Sequence, residues 1–204
     1  MIIVRIAKIT LSSVVLFLLI SELLQISYAR TDSRVQKNSI GRMSVKPIKS
    51  ISSGEKAKPG LPIRLHIPKI HVSAMVESVG LASNGDMDIT KNMENVAWFE
   101  LGQRPGEKGS AVIAGHYGWT KGKALVFNNL HKLRKGDTLY IEDEKGGIVH
   151  FVVREIQEYD PEADASEMFG SSDGKSHLTL ITCQGWNKTT QRYSKRLVVF
   201  TDQE

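Results

Sequence analysis

Cys183 is the one cysteine among 204 residues, so its sulfur forms no internal disulfide and contributes either packing or thiol chemistry. Two further groups give the second role its partners. His116 ends the apolar run Ala111-Val112-Ile113-Ala114-Gly115, 67 positions upstream, and Arg196 stands thirteen positions downstream, ahead of Leu197-Val198-Val199-Phe200. A thiolate is the effective nucleophile, and at an ordinary pKa of about 8.5 only a few per cent of a cysteine is ionised at neutral pH. A neighbouring imidazole takes the proton and later returns it to a leaving amine. A guanidinium fork donates to the oxygen that gains charge when a peptide carbonyl is attacked, or holds the substrate backbone. Together the three residue types can serve as nucleophile, base and anion stabiliser, provided that the fold brings them together.

The elements that carry them read as strands. Thr179-Leu180-Ile181-Thr182-Cys183 alternates branched and polar residues as a half-buried strand does, and Gln184-Gly185-Trp186-Asn187-Lys188 reads as loop, which puts the sulfur at a strand-to-loop edge. Arg196 is expected to open the last strand. Further strands are predicted over Ile63–Ile67, stopped by Pro68, over Val72–Val79 before Gly80, and over Asp137–Glu142 and Ile148–Ile156 on either side of Gly146-Gly147. Ala124–Leu130 has apolar residues near helical spacing and predicts a short helix. Many short strands with few helices predict a mostly β protein built as a closed or nearly closed barrel.

With those residues in view, the chain resembles the sortases, membrane-anchored cysteine transpeptidases of Gram-positive cell surfaces. The resemblance is carried by Thr179 to Cys183, by His116 upstream and by Arg196 downstream. Ile67-Pro68-Lys69-Ile70, Asn84-Gly85-Asp86 and Ala97-Trp98-Phe99 support it, over roughly 61–200. It implies an eight-stranded sortase-type β-barrel with one or two short helices. It also implies catalytic roles for His116, Cys183 and Arg196, and substrate contacts at Thr182 and Gln184, with the Gln184 backbone N–H assisting at the oxyanion. By the same resemblance the substrate is a surface protein bearing a Leu-Pro-x-Thr-Gly-like sorting signal. The acceptor is a peptidoglycan-precursor or pilin amine, and no cofactor or metal is implied. The loops Tyr159–His177 and Gln184–Lys195 are expected to line the sorting-signal pocket. Gly115-His116-Tyr117-Gly118-Trp119 with Leu61-Pro62-Ile63-Arg64 points to a compact housekeeping or class D to F subtype.

Other residues invite competing readings. Arg192 lies near Arg196, but its loop position and the family spacing favour Arg196. His66, His71, His131, His150 and His177 have no motif context and read as surface or core histidines. Glu158, Asp160, Glu162, Asp164 and Glu167 resemble a calcium-binding set. The stretch Leu101 to Lys108, which would complete such a set, carries Arg104 and Lys108 instead, so a solvated acidic loop is the expectation.

The net charge is +5, and its distribution argues against a nucleic-acid partner. Residues 30–60 carry +6, whereas 61–204 carry −2, so the basic character belongs to a Ser-rich segment expected to be a flexible linker. Residues 1–29 place Arg5 and Lys8 before the apolar stretch Ile9–Ile20 and read as a signal anchor or a signal peptide. The resemblance favours the anchor, with a single pass and residues 61–204 as an extracellular catalytic domain. Two rival functions are a cysteine peptidase with water as acceptor and a non-catalytic wall-associated module of the same fold. The papain-like order of cysteine before histidine is reversed here, and the three intact residues speak against the second.

Overall fold

A computed structural model describes residues 58–204, and the expected anchor and most of the linker lie outside them. The strands are β1 (Pro62–Ile67), β2 (Val72–Val79), β3 (Val96–Phe99), β4 (Gly109–Gly115), β5 (Trp119–Thr120), β6 (Lys123–Ala124), β7 (Thr138–Asp143), β8 (Ile148–Tyr159), β9 (Ser176–Asn187) and β10 (Arg192–Gln203). Eight of them close a barrel in the order β1-β2-β3-β4-β9-β10-β8-β7, with β7 pairing back onto β1, and β5 and β6 form a separate two-stranded ribbon. One four-residue helix, α1 (Ser166–Phe169), and two 3-10 turns, Pro68–Ile70 and Leu130–Lys132, complete the described elements.

Alternate residues along the strands point inward and fill the barrel: Leu65 and Ile67 of β1, Leu139 and Ile141 of β7, Phe151 of β8, Leu178 and Leu180 of β9. A second apolar cluster on the outer face packs Met168 of α1 against Ala97, Phe99, Ile181, Cys183, Val198 and Phe200. Strands β4 and β9 therefore have apolar cover on both sides, which is why Ala111–Ala114 is a continuous apolar run. This corrects the expectation of a half-buried strand at Thr179–Cys183: Thr179 and Thr182 are fully buried. Their hydroxyls are satisfied internally, Thr179 with Ser110 at 2.9 Å and Thr182 by donating to the Gly115 carbonyl at 2.7 Å.

The strand boundaries near the candidate residues also differ from expectation. β9 continues through Asn187, and β10 begins at Arg192, so the segment read as loop is the distal half of a hairpin and Arg196 lies inside its strand. The Asn187 side chain makes the reversal by accepting from Thr189 N at 2.9 Å and Thr190 N at 3.1 Å. Pairing to β10 holds this half extended despite its polar, exposed sequence. No helix forms over Ala124–Leu130, because its backbone is engaged elsewhere. Leu125 N donates to Gly118 O at 2.8 Å and Phe127 N to His116 O at 2.9 Å, folding the segment back along the residues after β4. Phe127 is fully buried there against Gly115, where an added Cβ would lie 2.4 Å from the ring.

Candidate functional site

Two ladders assemble the site. β4 and β9 run parallel with Ala114 opposite Ile181, and two residues further along each strand direction come His116 and Cys183. β9 and β10 run antiparallel with Cys183 directly opposite Arg196. The Thr182 hydroxyl bond to Gly115 lies between the residues preceding the imidazole and the thiol, so it ties the two strand ends at the point where the side chains emerge.

Cys183 is 4% exposed and Arg196 5%. Burial pushes the Cys183 thiol above its ordinary value, and the positive charge of Arg196 works against that rise. The Arg196 Nε is buried with no hydrogen-bond partner among the described residues, and one terminal nitrogen reaches the Lys195 carbonyl at a long 3.4 Å. A buried donor left unpaired is costly, and such a group is poised for an incoming acceptor. His116 is half-buried, with Nε2 2.9 Å from the Thr90 carbonyl. A carbonyl only accepts, so in the neutral ring this nitrogen carries the hydrogen and Nδ1 holds the lone pair.

Arg196 also lines an open groove of about 620 Å³, with Trp186, Arg192 and Tyr193 on the hairpin side and Asp160 and Glu162 on the side of the segment after β8. Both loop regions expected to form a pocket thus contribute to one. Gln184 is half-buried, and its Oε1 is buried without a partner. Thr182, expected at the substrate, is fully buried and directs its hydroxyl to the β4 backbone. Arg192 is exposed near the hairpin tip, opposite Asn187.

Several residues of the acidic loop have protein partners. Glu158 pairs with Lys195, Asp164 accepts from the Ser166 N–H and hydroxyl, and Glu167 accepts from the Tyr159 hydroxyl. Among the described residues no three or more His, Cys, Asp or Glu side chains gather as a metal site. Of the remaining histidines, His177 is buried between Asp173 and Asp202, at 2.9 and 2.8 Å, and His66 stacks on Tyr140. Two site residues escaped the sequence reading. Thr90 acts through a main-chain carbonyl and leaves no side-chain signature. Tyr193 lay in a stretch read as loop, where the three-residue spacing to Arg196 carried no meaning.

An eight-stranded closed barrel with a buried thiol opposite a buried guanidinium, and an imidazole at the end of the neighbouring parallel strand, defines an all-β protein built around a strand-borne cysteine. Comparison with known proteins makes the family explicit. The family model described as "Sortase domain" matches residues 65–204. Sortase A of Streptococcus agalactiae is 26% identical over 178 residues, covering 84% of this chain and 66% of that protein. Sortase A of Listeria monocytogenes is 30% identical over 86 residues, covering 42% of this chain and 36% of that protein. The chain thus spans about two thirds of the first relative and about a third of the second. Among solved structures, sortase C-1 from Actinomyces oris superposes with a TM-score of 0.57 at 28% identity, covering 70% of this chain and 74% of that one. Sortase A from Corynebacterium diphtheriae, at 24% identity and a TM-score of 0.55, covers 73% of this chain and 63% of its own and shares the fold. The chain belongs to the sortase family, a family of cysteine transpeptidases.

Proposed function

We propose that this protein is a sortase-type cysteine transpeptidase in which Cys183 is the nucleophile, His116 the proton carrier and Arg196 the anion stabiliser. The observation that carries this reading is the register of Arg196 opposite Cys183, with both side chains buried and Arg196 Nε unpaired. His116 takes the Cys183 thiol proton, the thiolate attacks the threonine carbonyl of a Leu-Pro-x-Thr-Gly-like signal, and the oxygen takes the negative charge beside the guanidinium. The C–N bond then breaks, and the departing glycine amine takes a proton from His116. An incoming amine from a peptidoglycan precursor or a pilin lysine attacks the thioester and gives a proton to His116, the C–S bond breaks, and His116 passes the proton to the departing sulfur to restore the thiol. With Cys183 only 4% exposed, the thioester sits away from bulk water, which favours an amine bound beside it over hydrolysis.

The groove beside Arg196 is the proposed seat of the sorting signal. Gln184, next to Cys183 and opposite Lys195 in the ladder, contributes its backbone N–H and its unpaired side-chain oxygen. Thr182 contributes by holding β9 to β4. Residues 61–204 form the catalytic domain, and residues 1–29, as a single-pass anchor, hold it at the outer face of the cell membrane through the basic linker 30–60. Among the described residues no helix is long and apolar enough to cross a membrane, so the anchor reading rests on the first 29 residues.

The test incubates the full-length protein with sorting-signal peptides and candidate amines and follows products by mass spectrometry. Ligated product that disappears in Cys183→Ala supports the reading. Cleavage that persists in that variant, or hydrolysis that no amine diverts, overturns it.

A further inference from the structure

Tyr193 sits on β10 three residues before Arg196, opposite Trp186 in the ladder with β9. Its hydroxyl reaches across 76 residues of sequence and donates to the Tyr117 carbonyl at 3.1 Å. The ring meets Tyr117 edge-on, with centroids 6.0 Å apart and planes at 87°, and packs on Trp186 at 4.9 Å. The hydroxyl is seated closely against the main chain. A Cβ added to Gly118, whose φ is +111°, would lie 3.2 Å from it.

The carbonyl that Tyr193 engages follows directly after His116. The flanking main chain is held from a different side, by Phe127 N donating to His116 O at 2.9 Å and Leu125 N to Gly118 O at 2.8 Å. Those two bonds tie 116–118 to its own continuation. The Tyr193 bond instead ties it to the strand that carries Arg196. The imidazole is steadied separately, by the Thr90 carbonyl. Among these tethers, Tyr193 is the one that fixes the His116 segment in the frame of the guanidinium.

We propose that Tyr193 is a positioning residue for His116, its hydroxyl clamping the 116–118 main chain to β10 so that the imidazole keeps one place relative to Cys183 and Arg196. Burial, and next the charge of Cys183, hold the Tyr193 phenol above its ordinary value, so the hydroxyl remains a donor throughout the neutral range. The activity arm of this inference rests on the sortase-type reading above. The competing role is a groove wall that touches only the peptide, since Tyr193 also lines the groove.

Tyr193→Phe separates the two, because it keeps the ring and its contacts and removes the hydroxyl alone. Three quantities are measured on the full-length protein: kcat and KM for ligation, the unfolding midpoint, and the imidazole resonances of His116 in histidine-labelled protein, assigned with His116→Gln. Misplacing a catalytic group is costly in rate. The expected result is a kcat lowered about tenfold to a hundredfold, with KM within about twofold and the His116 resonances shifted or broadened. A raised KM at unchanged kcat overturns the inference and makes Tyr193 a groove wall. Unmoved His116 resonances overturn it whatever happens to activity. If the unmodified protein ligates nothing, the sortase-type reading falls on its own, and the His116 resonances decide the role of Tyr193.

Discussion

Replacing Thr182 by valine probes the joint between the two strands that present His116 and Cys183. Valine has nearly the shape of threonine, so no cavity opens. What is lost is the 2.7 Å bond from Oγ1 to the Gly115 carbonyl at a fully buried position. A net hydrogen bond contributes about 1 kcal/mol, and leaving a buried acceptor short of its donor raises the cost, so we expect about 1–2 kcal/mol. For a domain of this size that corresponds to a fall of about 3–8 °C in the unfolding midpoint. The Ser110–Thr179 pair, 2.9 Å apart and equally enclosed, supplies the control. Removing both of its hydroxyls in Ser110→Ala/Thr179→Val is expected to cost less than the sum of the two single changes, because no lone polar group remains. Since Gly115 precedes His116, ligation by Thr182→Val should also slow by about tenfold through misplacement of the imidazole. Thermal unfolding followed by circular dichroism, together with a ligation assay, reads both effects. A midpoint within about 1 °C of the unmodified protein, with full activity, would refute the reasoning that this bond holds the site together.

Arg196→Lys replaces a fork by a point charge and should lower kcat/KM by about a hundredfold, as loss of an oxyanion donor does; near-normal turnover would remove Arg196 from that role. Arg196→Met removes the charge that opposes the effect of burial on Cys183, so the pH midpoint for alkylation by iodoacetamide should move upward, and an unmoved midpoint would contradict the pairing. Although burial opposes it, the Asp143 carboxylate is held below its ordinary value by N–H groups of Gly60, Gly147 and Lys145. A depressed carboxylate stabilises the fold above its unfolded value of 3.8 and loses that contribution as the pH falls through the folded one. Asp143→Asn should therefore flatten the stability loss below about pH 4, measured by urea unfolding across pH, and an unchanged slope would count against the assignment. Gly115→Ala places a methyl 2.4 Å from Phe127 and should destabilise by about 1–3 kcal/mol, with partial recovery in Gly115→Ala/Phe127→Leu; strict additivity of the two changes would show that the contact is not the cause.

The barrel was legible in the sequence where strands are bounded by strong breakers. Pro68, Gly80 and Gly146-Gly147 delimit β1, β2 and the β7–β8 hairpin within a residue or three of where they lie. The hairpin from Gln184 to Lys195 was not, because its strand character comes from cross-strand pairing and an Asn187-capped reversal, neither of which needs apolar alternation. The apparent helix at Ala124–Leu130 failed for the converse reason. Its apolar spacing is real, but Phe127 plugs the space beside Gly115 while the backbone pairs with the residues after β4. Cys183, His116 and Arg196 were legible as reactive types at telling spacings. The opposition of Cys183 to Arg196, the Thr90 carbonyl on His116 and the Tyr193 clamp are long-range facts that local pattern does not encode.

The central claim is that Cys183 carries the acyl group. Full-length protein mixed with a Leu-Pro-x-Thr-Gly peptide, quenched in acid within seconds and weighed intact should gain the mass of the peptide up to its threonine, with the adduct mapped to Cys183 and lost on adding a glycine amine. An absent adduct while product accumulates, or product formation undiminished in Cys183→Ala, would contradict the account.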